Sequence, residues 1–128
     1  MEKYQLTFPQ LSLWSVEQFY KGTSINVITG FIKINETVNF HLFNDAIEIL
    51  IKNTDIFGMH LSYENGELTQ VLTTPKNKGI RLINVSCKEE LENLQNTIAK
   101  TPFNIFEDDL FDFTIFKLPD NTGGVIGR

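Results

Sequence analysis

The side chains of this sequence that could do chemistry are few, and they form no recognisable catalytic set. The two histidines, His41 and His60, have no cysteine or carboxylate at metal-ligand spacing, which favours ordinary surface or half-buried histidines. Cys87 falls on the apolar face of a predicted helix, which favours a small buried hydrophobic residue over a nucleophile. We therefore predict no catalytic residue and no metal site.

Two further segments resemble ion-binding loops. Gly123, Gly124 and Gly127 suggest a phosphate loop, but no predicted helix follows them and no Lys-Ser/Thr pair closes the motif, so a turn is the better interpretation. The acidic residues 107–109 could bind a cation weakly, although a solvated loop is favoured. We accordingly predict no cofactor bound by this chain and no cofactor-binding residue.

Composition limits the class of protein. The chain has 128 residues and a net charge of −5, and 41% of its residues are hydrophobic, including 11 Phe. This length fits one domain with a sizeable core, and an acidic chain without a Lys/Arg cluster is a poor candidate for binding nucleic acid or an anionic membrane. One cysteine cannot form an internal disulfide, and no apolar run approaches the roughly 18 residues of a membrane span. We expect a cytoplasmic domain.

Two amphipathic segments in the first half of the chain predict helices that position these groups. The first helix begins at a capping box formed by Thr7 and Gln10 and ends at residues 21–22. The second covers residues 40–53. Its core face carries apolar side chains at helical spacing: Phe43, Ala46, Ile47 and Leu50.

A third helix is predicted in the second half of the chain. Ser86 and Glu89 are expected to form its capping box, and residues 101–102 end it. Its apolar face contains Cys87 and, at helical spacing, Leu91, Leu94 and Ile98.

β-branched and aromatic runs predict the strands. Gly30 marks a bulge or a close approach, Asn65-Gly66 predicts a hairpin turn, and residues 125–126 begin a strand that the chain does not finish. The predicted strands cover residues 26–35, 57–63, 67–73, 80–85 and 111–118. The order of elements predicts an α+β fold in which helices pack on one face of a mixed sheet.

Four segments together resemble the condensation domains of nonribosomal peptide synthetases. Residues 6–14 (LTFPQLSLW) resemble the opening motif of that family, which has a Ser/Thr, then a Gln, then a Leu/Met-Trp/Tyr pair. Residues 19–26 are similar to the segment before the family's first long strand, residues 52–57 resemble its second motif, and residues 111–120 resemble the strand and turn before its third. The segments occur in the family's order over nearly the whole chain.

The second motif departs from the family pattern, which is Arg-His-Glu-x-Leu-Arg-Thr-x-Phe. Asp55 stands where the family has Glu and keeps the charge, whereas Gly58 stands where it has Arg. A glycine cannot make the bidentate ion pair that arginine offers to a carboxylate.

The resemblance implies a fold and an activity. It implies a chloramphenicol acetyltransferase-like half-domain, with residues 1–128 as a single, truncated amino-terminal lobe. The parent enzyme would join an acyl group on one carrier protein's phosphopantetheine arm to an amine on another, in peptide natural-product biosynthesis, without metal or nucleotide. Its partners would be carrier-protein domains and the remaining part of the condensation domain. The family's catalytic motif, His-His-x-x-x-Asp-Gly, is expected within a few residues after Arg128, so the fragment alone is predicted to be inactive.

Other members of the superfamily remain alternatives: an epimerisation or heterocyclisation domain, a small acyltransferase, or a non-catalytic docking lobe. We also expect the fragment to self-associate through an exposed strand edge near residues 111–118. If Met1 is the native start, the parent's donor is expected to arrive in trans, because only five residues precede the first motif.

Overall fold

The fold is described from a computed structural model that covers residues 2–76 and 80–128. Met1, on which the expectation of a donor arriving in trans depends, lies outside the described residues. The elements in chain order are β1 (Lys3–Gln5), α1 (Phe8–Phe19), β2 (Gly30–Ile34), α2 (Phe40–Lys52), a 3₁₀ turn (Asp55–Gly58), β3 (Met59–Glu64), β4 (Glu67–Leu72), β5 (Arg81–Asn84), α3 (Lys88–Lys100), β6 (Phe113–Lys117) and β7 (Gly123–Gly127).

The strands form two sheets. The smaller is antiparallel, in the order β1-β4-β3, and the larger has the order β2-β7-β6-β5. In the larger sheet β5 and β6 are parallel and the other pairs are antiparallel, so α3 is the crossover of a β-α-β unit. The predicted α+β class and mixed sheet are confirmed. The smaller sheet contains β1, a three-residue strand that the sequence pattern did not predict.

The helices pack on both faces of the larger sheet, whereas the sequence predicted one face. Ile115 packs with Ile47 and Ile51 of α2, while its neighbour Phe116 packs with Leu91 and Ile98 of α3. Successive side chains of a strand point to opposite faces, so consecutive apolar residues in β6 require cover on both. β6 also lies between β5 and β7 in the sheet, so the exposed edge predicted near residues 111–118 is wrong; within the described residues the edges of this sheet are β2 and β5.

The glycines near the end of the chain lie in a strand and not in a turn. Gly123 and Gly124 begin β7, which pairs with both β2 and β6. A Cβ at Gly123 would lie 2.2 Å from the Phe116 carbonyl oxygen, and one at Gly124 would lie 1.9 Å from that of Ile32. These positions exclude a side chain because neighbouring backbone is too close. The turn itself precedes them, closed by a 2.9 Å bond from Leu118 N to Thr122 O.

Local signals fixed the hairpin and the first helix as predicted. Asn65 and Gly66 have positive φ values of 53° and 83°, as a tight hairpin turn requires. Thr7 and Gln10 form the predicted capping box, with Thr7 N donating to Gln10 Oε1 over 2.8 Å. Gly30, by contrast, is in regular pairing, and a Cβ there would meet nothing closer than Gly127 O at 4.0 Å, so the predicted bulge or close approach is wrong.

The third helix begins later than predicted. Cys87 is its N-cap and is exposed, so the prediction that this residue is a buried hydrophobic one is wrong. The thiol lies outside the first helical turn, and the core face begins at Leu91. The predicted Ser86–Glu89 capping box does not form, because Ser86 N donates to Glu90 Oε2 over 2.8 Å instead.

The first predicted strand is shorter than its apolar run. Asn26 donates to Leu13 O and Glu17 Oε2 of α1, which holds residues 23–28 as a loop against that helix, and pairing begins only at Gly30.

No helix in the described part of the chain is long and apolar enough to cross a membrane.

Candidate functional site

An apolar pocket lies between α1, the loop of residues 23–28, β3 and the loop of residues 103–110. We call it the α1 pocket; its volume is about 390 Å³. That volume falls in the range typical of ligand pockets. Its apolar walls include Leu13, Trp14, Ile28, Leu61, Phe103 and Leu110.

Hydrogen bonds between polar side chains fix the walls of this pocket. Gln10 Nε2 of α1 donates to Gln70 Oε1 of β4 over 2.9 Å, which ties α1 to the smaller sheet. Asn26 Nδ2 donates to Glu17 Oε2 over 3.0 Å and to Leu13 O over 3.1 Å, which ties the 23–28 loop to the same helix. Gln10 and Asn26 in the pocket walls are therefore already hydrogen-bonded within the protein.

Arg128 lines the α1 pocket. Its Nε and Nη2 both lie 2.7 Å from Asp112 Oδ2, and its guanidinium carbon lies 4.2 Å from the centroid of the Phe103 ring. Nη1 donates to the carbonyls of Ile98 and Thr101 at the carboxyl end of α3, where a cation is favoured by the helix dipole. The side chain is only 9% exposed. These contacts hold the chain immediately after β7 in one position.

A second, more polar cavity of about 290 Å³ shares Arg128 with the α1 pocket. Arg81 lines it and donates from Nη2 to Thr114 Oγ1 over 2.9 Å. The same nitrogen lies 3.9 Å from Asp112 Oδ1, an oxygen that is buried without a hydrogen bond. Charges of both signs line this cavity, so it has no clear preference for a ligand of one sign.

His60 is buried in a network of its own, which corrects its expected place at the surface or half-buried. Its Nε2 lies 2.7 Å from Asp109 Oδ1, and its Nδ1 lies 2.9 Å from both Gly58 O and Thr73 Oγ1. Its side chain is 7% exposed and that of Asp109 is 11% exposed, so the solvated loop predicted for residues 107–109 is wrong at Asp109. Lys76 N also donates to Asp109 Oδ1, over 2.9 Å. The network joins the smaller sheet to the loop that lines the α1 pocket.

The two histidines lie on different elements, His41 on α2 and His60 on β3, and pair with different carboxylates. His60 does not line the α1 pocket or the second cavity. His41 is exposed on α2, and its Nε2 lies 3.6 Å from Asp45 Oδ2. This agrees with the prediction of a surface histidine. No group of three metal-ligating side chains occurs in residues 2–76 and 80–128.

Gly58, the position that departs from the second motif, has no space for any side chain. A Cβ there would lie 2.2 Å from Thr73 O, and Thr73 N donates to Gly58 O over 2.8 Å. An arginine at this position would require the backbone at Thr73, directly after β4, to move.

Sequence reasoning missed the residues that build this site. Arg128 and Asp112 are 16 residues apart, and His60 and Asp109 are 49 residues apart, so no local spacing brings them together. A usable signal was the placement of charged residues beside strands that are otherwise apolar, at Asp112 and Arg128.

Comparisons with known proteins give a consistent result. A family model described as "Condensation domain" matches residues 1–125. Surfactin synthase subunit 1 of Bacillus subtilis (strain 168) is 29% identical over 133 residues, which cover 92% of this chain and 4% of that protein.

Two solved structures share the fold. The starter condensation domain of the rhizomide synthetase RzmA superposes with a TM-score of 0.89 at 16% identity, and the match covers 99% of this chain and 32% of that one. The first condensation domain of the calcium-dependent antibiotic synthetase, in complex with substrate analogue 2a, also gives 0.89 at 14% identity, with the same coverage. The chain thus spans about a third of these structures and a small part of the curated relative.

Proposed function

This chain belongs to the condensation-domain family, and from that membership we propose that it is the amino-terminal lobe of a domain that forms amide bonds in a nonribosomal peptide synthetase. Its α+β fold with two sheets and three helices matches the chloramphenicol acetyltransferase-like fold of condensation domains. The reaction we propose for the whole domain is attack of an amine on the thioester carbon of an acyl group. The C–N bond forms, the C–S bond breaks, and the thiol of the phosphopantetheine arm leaves with a proton.

The position of the α1 pocket carries this proposal. Arg128 lines the pocket and directly follows β7, and the motif resemblance puts the family's His-His-x-x-x-Asp-Gly within a few residues of it. Arg128 and Asp112 exchange both backbone hydrogen bonds, Asp112 N to Arg128 O over 3.0 Å and Arg128 N to Asp112 O over 3.1 Å. A residue that follows Arg128 would therefore enter from a fixed direction, beside the pocket.

The contribution of this chain is positioning. Holding two reactants in the correct geometry lowers a barrier by several kcal/mol, about 7–11 in well-oriented cases. The 128 residues contain no adjacent histidines, and we assign no catalytic residue to them. We propose that no metal or nucleotide takes part and that phosphopantetheine arrives on the partner proteins as part of the substrates.

The proposed partners are carrier-protein domains and the remaining part of the condensation domain. The relative similar to this chain is a synthetase subunit, and the two structures come from synthetases, which supports partners of that kind. We also propose a cytoplasmic location, which is supported by the exposed free thiol of Cys87, a group suited to a reducing compartment.

The test compares two proteins with the same substrates. Residues 1–128 alone, and a condensation domain that contains them, are mixed with one carrier loaded with an acyl group and another loaded with an amino acid. Mass spectrometry of the second carrier is expected to show the amide with the domain and none with residues 1–128 alone. Amide formation by residues 1–128 alone, or hydrolysis without amide formation by the domain, would contradict the proposal.

A further inference from the structure

We propose that His60 is a pH-dependent connection within this chain. As a doubly protonated imidazolium it holds the 103–110 loop against the smaller sheet through Asp109, and loss of one proton weakens that hold. The inference does not rest on the proposed function, because it concerns contacts between side chains of this chain. It depends on the acceptors around the ring, on the burial of the pair, and on the other bonds of the loop.

Both ring nitrogens of His60 face oxygen atoms that accept hydrogen bonds. Nε2 lies 2.7 Å from the carboxylate oxygen Oδ1 of Asp109, and Nδ1 lies 2.9 Å from the backbone carbonyl oxygen of Gly58. A neutral imidazole has one N–H and can donate to only one of these oxygens, whereas an imidazolium donates to both. The arrangement of acceptors therefore favours the charged ring.

Thr73 provides the competing arrangement. Its Oγ1 lies 2.9 Å from Nδ1 of His60, and a hydroxyl can donate or accept. In a neutral ring with the proton on Nε2, Thr73 would donate to Nδ1 and the bond to Asp109 would stay. The lone pair of Nδ1 would then face the Gly58 carbonyl oxygen, which would lose its donor. In the charged ring Nδ1–H serves both neighbours, and Thr73 Oγ1 donates to Thr74 O over 3.3 Å, so every group is paired.

The pair is shielded from water. The side chain of His60 is 7% exposed and that of Asp109 is 11% exposed, whereas those of His41 and Asp45 are 85% and 45% exposed. Salt and water screen a buried ion pair little, and a neutral ring would leave the buried carboxylate with weaker compensation. We therefore expect the charge on His60 to affect the loop, and the charge on His41 to have no such effect.

The other charged groups around this contact are bonded to partners that keep their charge near neutral pH. Lys76 N also donates to Asp109 Oδ1, over 2.9 Å, and Lys76 Nζ donates to Glu107 O. Within the loop, Asp108 Oδ2 accepts from Asn104 N over 2.9 Å, and Glu107 Oε2 accepts from Asn104 Nδ2 over 2.8 Å. Histidine is the side chain whose charge changes near neutral pH, so the ring is the pH-dependent member of this group.

The loop forms part of the α1 pocket, so its position affects that pocket. Phe103 and Leu110 line the pocket, and Phe106 makes an edge contact with the Trp14 ring, with centroids 5.7 Å apart. A loop that is held less firmly would move these side chains relative to α1. Trp14 is half-buried and is the only tryptophan of the chain, so its accessibility to a quencher reports the position of the loop.

The measurement follows the ring and the loop in residues 1–128 together. The two ring nitrogens of His60 are observed by ¹⁵N NMR from about pH 5.5 to about pH 9, a range over which histidines change charge. Both are expected to carry a proton at the lower pH, and the backbone amide signals of Phe106 and Asp109 should shift with the same midpoint as the ring. Acrylamide should quench Trp14 about twofold more strongly at the upper pH, because the loop then opens more often.

Matched variants separate this contact from other effects of pH. His60→Gln and Asp109→Asn remove one charge from the buried pair, and His41→Gln and Asp45→Asn do the same at the exposed pair. The first two variants should lose the pH dependence of tryptophan quenching, and the other two should keep it. Asp109→Asn retains an acceptor for Lys76 N, so it tests the inference even if His60→Gln does not fold, which circular dichroism checks.

Three results would overturn the inference: a His60 ring with a single proton at the lower pH, loop amides that do not follow the titration of the ring, or a pH dependence of quenching that persists in Asp109→Asn. The first of these would show that the Thr73 hydroxyl donates to Nδ1. None of the measurements involves amide formation. A domain that forms no amide would contradict only the proposed function, and a loop that ignores the charge of His60 would contradict only this inference.

Discussion

At the scale of single residues, the ion pair of Arg128 and Asp112 is the interaction on which the site most depends. It is largely buried, and removing one partner leaves the other charge without compensation. We expect Arg128→Met to lower the free energy of unfolding by about 2–4 kcal/mol, below the full range for completely buried pairs because Asp112 keeps some exposure. Urea denaturation measures the change.

An exposed ion pair provides the matched control for that prediction. Lys3 Nζ lies 2.6 Å from Glu64 Oε2, closer than the atoms of the buried pair, but both side chains are about half exposed. Lys3→Met should change the free energy of unfolding by less than about 1 kcal/mol. Equal losses in the two variants would show that burial does not determine the strength of the Arg128 contact.

A second prediction concerns Glu90, which lies in the first turn of α3 and accepts hydrogen bonds from Ser86. The Ser86 hydroxyl and then the Ser86 backbone N–H donate to Glu90, and these bonds lower the pKa of that carboxyl from its ordinary value of 4.5. Because the pKa of Glu90 is lower in the folded state than in the unfolded state, the ionised carboxylate stabilises the fold at pH values above the unfolded-state pKa. This stabilisation is lost as the pH falls through the folded-state pKa. Carboxyl NMR titration of Ser86→Ala should show the Glu90 pKa rising towards its ordinary value. A Glu90 pKa that does not move would contradict the assignment of its cause.

A third prediction tests the position where the second motif lacks its arginine. Gly58→Ala would place a methyl group 2.2 Å from the Thr73 carbonyl oxygen, so the backbone at Gly58 or at Thr73 must shift. We expect a loss of about 1–3 kcal/mol in the free energy of unfolding, as for other overpacked sites. Gly30→Ala is the control, because its nearest neighbour is 4.0 Å away, and it should be close to neutral. Equal stabilities of the two variants would mean that Gly58 is not required by close packing.

At the scale of elements, the sequence predicted most helices and strands because their signals are local. The Thr7–Gln10 capping box and the Asn65-Gly66 turn act within four residues, and both formed as predicted. The second helix was predicted to within one residue, since an apolar face at i, i+3, i+4 and i+7 specifies it.

Elements whose limits depend on distant contacts were predicted less well. The strand predicted from residue 26 begins at Gly30, because Asn26 bonds to α1. Gly123 and Gly124 look like a turn locally, yet they pair with β2 and β6 on either side. The edge predicted near residues 111–118 is wrong because β6 pairs with β5 on one side and with β7 on the other.

The fourth prediction places the expected self-association at β2, an edge strand of the larger sheet. Within the described residues β2 pairs on one side only, with β7, and it exposes Phe31 and Ile32. An apolar edge strand pairs readily with another chain, so residues 1–128 are expected to dimerise at about 100 µM. Sedimentation should show Ile32→Lys shifted to monomer and the control Ile56→Lys, outside any strand, unchanged. A monomeric wild-type chain at this concentration would contradict the prediction.

At the scale of the whole molecule, two connections hold the sheets around the α1 pocket. The His60–Asp109 contact joins the smaller sheet to the 103–110 loop, and Arg128 joins the end of β7 to that loop and to α3. None of these pairs is close in sequence, so the family resemblance predicted the fold while the site itself had to be read from the structure. The sequence motifs indicated the condensation-domain family, whereas only the packing of the folded chain shows which side chains line the α1 pocket.

The most direct test of the proposed function is amide formation by a condensation domain that contains residues 1–128. The value of kcat/KM is measured in the wild type and in the Leu13→Gln and Leu42→Gln variants, because both leucines are exposed on helices and only Leu13 lines the α1 pocket. We expect the wild-type domain to form the amide, Leu13→Gln to lower kcat/KM about tenfold through lost positioning, and Leu42→Gln to leave it unchanged. A domain that forms no amide, or equal values of kcat/KM in the two variants, would contradict the proposed function.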